Sequence, residues 1–378
     1  MLSNPFFTGI PGSIKNWEKL NADQLLGMSG LNSGNFLFVS ALRNLLGKHD
    51  AIYTNNADVK SIGSETHDYI AISASNWIRH DSDFGPLAEL IESTDLPCLV
   101  VAIGAQANKG GKVTKLTKGT KRFLDVVSER SSYISVRGAH TQEVLDDFGI
   151  HNTWVTGCPS IIGHNVNYLD IPSKINTDKI DLSKVILQGT RHGTSETIFK
   201  DDNGTNINLE LFRFAFKNNM PMLFQSEIPE ICKMTSTPFP KDRRDEYINF
   251  LNRVYKTNDF NLVKEYLKNH GLHYWNIDHW FNDLSKYQVL IGTRIHGVIS
   301  ALLSGVPALL LAHDSRTIEL ARTMNIPFAD IHDIQSLNEN TILELISSID
   351  LEPLKTRINQ YRNNFKLFFN ENNVINNI

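Results

Sequence analysis

The segment VLIGTRIHGVISALLSGVPALLL, residues 289–311, constrains the fold more than any other part of the chain. It contains two short runs that are apolar throughout, and between them lies a helix-length stretch that ends at Gly305 and Pro307. Strands that are apolar on both faces are typical of parallel sheets covered by helices on both sides. The segment therefore predicts a strand, a buried helix and a second parallel strand in an α/β protein.

Similar apolar runs occur along the chain, and segments with helical periodicity separate them. The first set of runs lies at 68–75, 97–106, 132–138 and 152–160, and the second at 184–193, 220–227, 288–297 and 307–314. KRFLDVVSERS and AHTQEVLDDFG carry apolar residues at three- and four-residue spacing, and Gly149 is suited to end the second of these helices. The pattern predicts an α/β fold of two doubly wound Rossmann-like domains that face a cleft.

The domain boundaries follow from a polar stretch without clear periodicity at 165–183. A chain of 378 residues suits two domains of ordinary size. We predict an N-terminal domain over 1–170, a C-terminal domain over 171–345, and a terminal helix with a frayed, asparagine-rich tail over 346–378.

Composition narrows the class of protein. The net charge of -4 gives no indication of a nucleic-acid partner. The three cysteines, Cys98, Cys158 and Cys232, are far apart and form no CxxC pair, so we expect no disulfide framework and no zinc site. The sequence shows neither a signal-peptide pattern nor an apolar run of about 18 residues. We therefore expect a cytoplasmic protein, and a peripheral contact with the inner face of a membrane is left open.

The ends of the apolar runs carry arginine and histidine. In α/β sheets, ligands bind beyond the carboxyl ends of the strands, close to helix N-termini. The basic residues at or just after these ends are Arg137, Arg191, His192, Arg294, His296, His313 and Arg316. Because the whole chain is slightly acidic, such a group predicts a local site for a small, multiply charged anion.

The sequence Arg294-Ile295-His296-Gly297 is the strongest of these candidates. If strand alternation continues through it, Arg294 and His296 share one side, Gly297 permits a tight turn, and the next helix directs its N-terminus at the same place. The alternative is a helix-capping histidine beside a surface arginine. Arg137 has its own alternative, a salt bridge with Glu143, and Asp314 is suited to be an N-cap.

Two further segments have alternative interpretations. In the loop before FLFVSALRNLLG, Asn32, Gly34 and Asn35 could hold a phosphate or a sugar hydroxyl, or could simply cap the helix. The aromatic stretch HYWNIDHWFNDL, residues 273–284, could stack on a sugar ring or pack in a core. The glycine- and lysine-rich loop at 104–112 could close over a ligand or be merely flexible, and no segment has the spacing of a metal site.

Three blocks of the sequence resemble the polysaccharide pyruvyltransferase family. GTRIHGVISALLSGVPALLLAHDSRTIELARTMNIP resembles its signature, in which a strand ends in Ser/Thr-x-Arg-x-His before a small-residue helix, Gly-x-Pro, a strand and a basic residue. NSGNFLFVSALRNLLG is similar to the family's Asn-x-Gly-(Asp/Asn) helix start. SVRGAHTQEVLDDFGIHNTWVTGCPSII resembles its Ser-x-Arg-(Asp/Gly)-x-x-(Ser/Thr) segment and the Gly-x-Pro element that follows. The blocks occur in the family's order.

The resemblance implies a fold similar to GT-B glycosyltransferases, with the acceptor on the N-terminal side and the donor on the C-terminal side. It implies transfer of the pyruvyl group of phosphoenolpyruvate to two hydroxyls of a sugar, with no metal and no cofactor beyond that donor substrate. Arg294 and His296 would lie at phosphoenolpyruvate with Arg137 opposite. Arg316 stands where the family often has lysine. Glu227 and Asp314 are candidates for the base that activates the acceptor.

Two other functions remain compatible with the sequence. One is a GT-B glycosyltransferase that uses a nucleotide sugar, although RIHGVISALLSGVP lacks the acidic residue that often binds the ribose hydroxyls. The other is a non-catalytic glycan-binding homologue. The sequence leaves open the acceptor sugar, its hydroxyl pair, whether the acceptor is lipid-linked, and the oligomeric state.

Overall fold

The computed structural model of the protein describes residues 1–47, 65–106, 113–164, 167–190 and 206–378. The strands of the N-terminal unit are β1 (Pro5–Thr8), β2 (Tyr69–Ser73), β3 (Cys98–Val101), β4 (Ile134–Val136) and β5 (Thr153–Val155). Its helices are α1 (Ala22–Met28), α2 (Asn35–Leu45), α3 (Gly85–Glu92), α4 (Lys118–Arg130) and α5 (Ala139–Asp147).

The described strands of the N-terminal unit are all parallel and lie side by side in chain order. β1, β2 and β3 form one sheet, β4 pairs with β5, and a bridge between Ile103 and Val136 connects the two groups. Alternate residues of β2 belong to different cores: Ile70 packs with α3 and α4, whereas Ala71 packs with α2. Helices therefore cover both faces of this sheet.

The C-terminal unit is a six-stranded parallel sheet. Its strands are β6 (Val185–Gln188), β7 (Met222–Phe224), β8 (Gly271–His273), β9 (Val289–Gly292), β10 (Ala308–Ala312) and β11 (Phe328–Asp330). Their order across the sheet is β11-β10-β9-β6-β7-β8. The chain thus leaves the centre in one direction after β6 and in the other after β9. This is the doubly wound order, and its switch point lies between β6 and β9.

In the described ranges, eight further helices surround the C-terminal sheet or follow it in the chain. They are α6 (Ile207–Lys217), α7 (Ile228–Met234), α8 (Arg244–Val254), α9 (Phe260–His270), α10 (Ile277–Leu284), α11 (Ile295–Leu303), α12 (Ser315–Met324) and α13 (Glu339–Ser347). The last helix, α14 (Glu352–Glu371), returns to the N-terminal unit, where its Asn364 bonds to Trp154 and to the carbonyl of Val155.

The structure corrects the prediction of a frayed tail. Val374 is fully buried and forms a parallel bridge with Leu2. The backbone N–H of Ile375 donates to the carbonyl of Leu2, and that of Asn377 donates to Leu45. The asparagine-rich composition did not indicate an ordered tail, because only a few apolar residues among the polar ones, such as Val374, are buried.

The predicted fold class is confirmed: the chain is α/β, with two Rossmann-like parallel-sheet units that face a cleft. The described part of the connection from β5 to β6 contains only short 3-10 turns, and the boundary placed at 170/171 lies within it. None of the helices in the described ranges is both long and apolar enough to cross a bilayer.

The aromatic stretch at 273–284 belongs to the core. Tyr274, Trp275 and Trp280 are 2%, 0% and 1% exposed, so the interpretation of these rings as a sugar platform is wrong. Three strands, β1, β8 and β11, lie outside the apolar runs predicted from the sequence; each has only three or four residues.

Candidate functional site

A cleft of about 290 Å³ lies between the two units, at the carboxyl ends of their strands. The polar residues that line it on the N-terminal side are Asn32, Asn35, Ser75, Asn76, Arg79, Gln106 and Arg137. Those on the C-terminal side are Thr190, Gln225, Thr293, Arg294, His296, His313 and Thr317. The cleft therefore has the position expected for a ligand site in an α/β protein.

The charges that line the cleft are of one sign. Arg79, Arg137 and Arg294 lie in its walls together with His296 and His313, and no Asp or Glu is among its described lining residues. Arginine forks in a partly enclosed space favour phosphate and carboxylate ligands. The structure thus brings four of the predicted basic residues, together with Arg79, into the wall of one cleft, and anion binding there stays a prediction.

Arg294 is held in place by a buried carboxylate. It is the N-cap of α11, and its guanidinium donates to the carbonyl of Gly189 at 3.3 Å and to Ser226 Oγ at 2.6 Å. It also forms an ion pair with Glu227, whose side chain is completely buried. The Glu227 carboxylate accepts the backbone N–H groups of Gln225 and Ser226 as well. Since Glu227 does not line the cleft, its position favours orienting Arg294 over acting as a base.

Arg137 reaches the cleft from the opposite wall, directly after β4. Its Nε donates to the carbonyl of Ala102 and its Nη1 to Asn76 Oδ1, both at 2.9 Å. The guanidinium also lies over the ring of Phe38, 5.8 Å from the ring centre. A side chain at Gly104 would clash here, because its Cβ would lie 2.9 Å from Arg137 Cδ. These contacts fix the position of the guanidinium. None of them involves Glu143, the alternative partner considered from the sequence.

His296 is the second residue of α11 and is 7% exposed. Its ring lies 5.2 Å from that of Phe38, and its Nε2 is 3.6 Å from Cys158 Sγ. The strand alternation expected for this segment is not observed, because the helix already begins at Ile295. Arg294 and His296 nevertheless both reach the cleft, because they occupy the N-cap and first turn of one helix.

Gly297 and Gly34 have steric roles. A Cβ on Gly297 would collide with the side-chain amide of Gln188, which comes from the neighbouring strand β6 at the switch point. A Cβ on Gly34 would lie 2.9 Å from Gln225 Oε1, which belongs to the opposite unit. Neither glycine is a lining residue of the cleft. Both are needed for the close approach of the elements that form it.

Asn32 and Asn35 lie in the cleft wall and also organise the start of α2. Asn32 Oδ1 accepts the backbone N–H of Gly34 at 3.0 Å, and the Asn35 amide donates to the carbonyl of Ser29 at 3.0 Å. The N–H of Ser33 donates to the carbonyl of Gln225, so this loop is bonded to the C-terminal unit. Both asparagines therefore order the loop and line the cleft, whereas the N-cap of α2, Gly34, has no side-chain cap.

The remaining predicted residues lie after β6 and β10. His313 lines the cleft, and Asp314 caps α12 in a capping box with Thr317, as expected. Arg316 is the second residue of α12, and the described part of the structure does not include its side chain. Arg191 and His192 lie outside the described residues, as does 107–112 of the glycine- and lysine-rich loop.

Sequence reasoning missed several residues of the cleft. Asn76 and Arg79 follow β2, so the same rule about strand ends would have found Asn76 had it been applied to ISASN. Gln225 comes directly after β7, but nothing in the sequence indicates that Gly34 packs against it. Cys158 carried no sequence signal, because its partner His296 is 138 residues away.

A carboxylate from α12 joins the two units beside the cleft. Glu319 Oε1 accepts the backbone N–H of His140 at 2.7 Å and that of Thr141 at 3.3 Å, at the N-terminus of α5. Burial raises the pKa of the Glu319 carboxyl above its ordinary value, although these hydrogen bonds and the charge of Arg137 act in the opposite direction. No group of three or more metal-ligating side chains occurs in the described ranges.

Comparisons with known proteins give one family. The family model described as polysaccharide pyruvyl transferase matches residues 32–315 of the chain. This range includes Arg137, Arg294 and His296. No curated protein sequence matches.

Similar solved structures are distant. S. aureus MnaA, solved with UDP, is 12% identical at a TM-score of 0.41, with 97% of each chain covered. UDP-GlcNAc 2-epimerase from Neisseria meningitidis, bound to UDP-GlcNAc, is 13% identical at 0.38, covering 98% of this chain and 95% of its own. HepE from Anabaena, in complex with UDP and glucose, is 10% identical at 0.38, covering 95% and 99%. Likeness at this level has no bearing on function.

Proposed function

The chain belongs to the polysaccharide pyruvyl transferase family, and from this premise we propose that it transfers the pyruvyl group of phosphoenolpyruvate to two hydroxyls of a sugar. The observation that carries the proposal is the cleft itself. Arg137 from one unit faces Arg294 and His296 from the other, and no carboxylate lies among the described lining residues. Phosphoenolpyruvate carries a phosphate and a carboxylate, and two arginine forks on opposite walls suit a ligand with two anionic ends.

The donor lies with its anionic groups between these arginines. Arg294 is oriented by Glu227, and Arg137 by Asn76 and the Ala102 carbonyl, so neither guanidinium must be ordered when the ligand binds. Such preorganisation lowers the entropic cost of binding and of stabilising charge in the transition state. The N-terminus of α11, which begins beside Arg294, adds the favourable end of a helix dipole for an anion.

The reaction that this arrangement supports balances without an oxidant or reductant. A proton is added to C3 of phosphoenolpyruvate, and the first sugar hydroxyl forms a bond to C2. The C2–O bond to phosphate then breaks, and the second hydroxyl closes the ketal at C2. The two hydroxyls lose two protons in total. One balances the proton added to C3, and the other leaves on the phosphate.

His296 supplies the proton in this scheme, either to C3 or to the departing phosphate. A dianionic ligand beside an imidazole favours its protonated form, as a general acid requires. His296 lines the cleft from the first turn of the same helix that Arg294 caps, so the acid and the phosphate clamp belong to one rigid element.

The sugar acceptor is bound by the neutral polar residues of the cleft. Gln225 is 1% exposed, and its Nε2 has no hydrogen-bond partner among the described residues. A buried amide donor of this kind is expected to bind a ligand oxygen. Asn32 and Asn35 line the same cleft from the N-terminal side. These groups suit sugar hydroxyls, whether the sugar is free or lipid-linked.

A turnover experiment tests the proposal. The protein is incubated with phosphoenolpyruvate and a panel of glycosides that differ in their hydroxyl pairs, and phosphate release and product mass are followed together. We expect phosphate release that depends on one class of acceptor and equals the yield of an acid-labile pyruvate ketal. His296→Asn should reduce this turnover by roughly 10²- to 10⁴-fold. Transfer from a UDP-sugar to the same panel, with phosphoenolpyruvate inert, would overturn the proposal.

A further inference from the structure

Cys158 meets the candidate acid His296 across the junction of the two units. Cys158 belongs to the segment that follows β5, whereas His296 belongs to α11. The distance from Cys158 Sγ to His296 Nε2 is 3.6 Å, which is within the range of a hydrogen bond to sulfur. Cys158 is fully buried and His296 is 7% exposed, so the contact is shielded from bulk water.

The segment that carries Cys158 is itself fixed. Tyr361 from α14 donates its hydroxyl to the carbonyl of Cys158 at 2.9 Å. Gly157 has a φ of +81°, and a Cβ there would lie 3.1 Å from the Tyr361 ring. Ser160 Oγ lies 3.1 Å from Cys158 Sγ on the other side. The sulfur therefore has a defined position relative to His296, and α14 contributes to it.

A thiol is suited to partner an imidazole in both of its charge states. Its S–H can donate to an unprotonated ring nitrogen, and its sulfur can accept the N–H of a protonated one. A hydrogen-bond partner at one ring nitrogen fixes the ring orientation and decides where the proton resides. Neither of the other cysteines can do this: Cys98 is in β3 and Cys232 in α7, and both lie in apolar cores.

Other charged groups line the same cleft as His296. Arg294 caps its own helix, Arg137 enters from the end of β4, His313 follows β10, and Arg79 lies in the same cleft. Cations in the cleft disfavour protonation of an imidazole, although the Glu227 carboxylate offsets the charge of Arg294. A group that stabilises the N–H of the imidazolium has to act against them. Cys158 is a buried side chain in contact with Nε2.

Resting on the proposed function, we infer that Cys158 is a positioning residue of His296: it orients the imidazole and contributes to the pH at which this ring is protonated. Cys158→Ala removes the partner, so the imidazolium is less favoured and the ring less fixed. Cys158→Ser keeps a donor and acceptor of similar shape. Cys158→Asp places a carboxylate at the ring and should raise the titration midpoint of His296 by about one pH unit or more.

The experiment is an NMR titration of the full-length protein labelled with ¹⁵N-histidine. The resonances of His296 are identified among the 13 histidines by their loss in His296→Asn. We expect a lowered midpoint and a changed tautomer signal in Cys158→Ala, a midpoint near that of the wild type in Cys158→Ser, and a raised midpoint in Cys158→Asp. Cys98→Ala is the matched control, because it removes a buried thiol at the far end of β3 from the cleft.

The result that would overturn the inference is a His296 titration with the same midpoint and tautomer in all three Cys158 variants. In steady-state kinetics with phosphoenolpyruvate, the alkaline limb of the kcat profile, where the general acid loses its proton, should move with the NMR midpoint, while KM for the donor stays nearly constant. The titration requires no turnover. A wild-type protein that does not use phosphoenolpyruvate would therefore contradict the proposed function and leave the role of Cys158 to be decided by NMR.

Discussion

The two arginines that face each other across the cleft are held by partners of different charge. Arg294 forms an ion pair with the fully buried carboxylate of Glu227, whereas Arg137 bonds to a backbone carbonyl and to the amide of Asn76. A buried ion pair is costly to break from either side, because the remaining charge is left without its partner. Removing the ligand-binding arginine should therefore destabilise the protein more at the C-terminal wall than at the N-terminal wall.

The largest expected effect of this difference is on the stability of Arg294 variants. Arg294→Met leaves the Glu227 carboxylate buried without its guanidinium, and we expect a loss of roughly 3–5 kcal/mol in the free energy of unfolding. Chemical denaturation monitored by fluorescence measures it.

The double variant Arg294→Met/Glu227→Gln is the matched control. It removes both charges and keeps an oxygen for the backbone N–H groups of Gln225 and Ser226, so stability should return toward the wild type while donor binding stays lost. If the double variant were as unstable as Arg294→Met, the ion pair would not be the source of the difference between the walls.

Replacing Arg137 should cost less stability. Arg137→Met leaves a carbonyl and an amide oxygen without their donor, and the expected loss in the free energy of unfolding is about 1–3 kcal/mol. Its effect on phosphoenolpyruvate binding should nevertheless match that of the double variant. Equal losses in the free energy of unfolding for Arg137→Met and Arg294→Met would contradict the expected difference between the two walls.

The contact between the walls at Gly34 gives a smaller effect. Gly34→Ala brings a methyl group to 2.9 Å from Gln225 Oε1, so one wall must shift, and we expect a loss of about 1–2 kcal/mol with weaker acceptor binding. Gly27→Ala in α1 is the control, because no atom lies within 4 Å of its added Cβ. That variant should be neutral or slightly stabilising in thermal unfolding.

The smallest effect concerns Glu319, which joins α12 to α5. The pKa of the Glu319 carboxyl is higher in the folded than in the unfolded protein. The neutral carboxyl therefore stabilises the folded state fully at a pH below the unfolded pKa, and this stabilisation is lost as pH rises through the folded pKa. Glu319→Gln has no charge to bury and keeps an acceptor for His140. It should therefore unfold at a slightly higher temperature than the wild type at about pH 7 and at the same temperature near pH 4. A Glu319→Gln variant less stable than the wild type at neutral pH would contradict this.

The sequence predicted those parts of the site that depend on one segment. Arg294, His296 and Arg137 each follow a strand that is apolar on both faces, so the rule about strand ends located them. The same rule predicted His313 at the cleft, and the N-cap preference of aspartate predicted the capping role of Asp314.

The parts that depend on two distant segments were not predictable from one sequence. Glu227 looks like a base in the sequence, but its backbone turn directs the carboxylate at Arg294. The sequence suggests a ligand-binding loop at Gly34 and a tight turn at Gly297, and only the packing of Gln225 and Gln188 shows the steric role of these glycines. The aromatic cluster at 273–284 is apolar on its core face, a property shared by buried rings and sugar platforms.

The measurement that tests the central claim most directly is thermal unfolding with phosphoenolpyruvate, uridine diphosphate or inorganic phosphate. Ligand at 100 times its Kd stabilises the native state by about 2.7 kcal/mol, so selective binding is easily detected. We predict that phosphoenolpyruvate raises the Tm of the wild type well above the effect of phosphate. Arg137→Met and the Arg294→Met/Glu227→Gln variant should lose this response. A Tm that responds to uridine diphosphate but not to phosphoenolpyruvate would contradict the account.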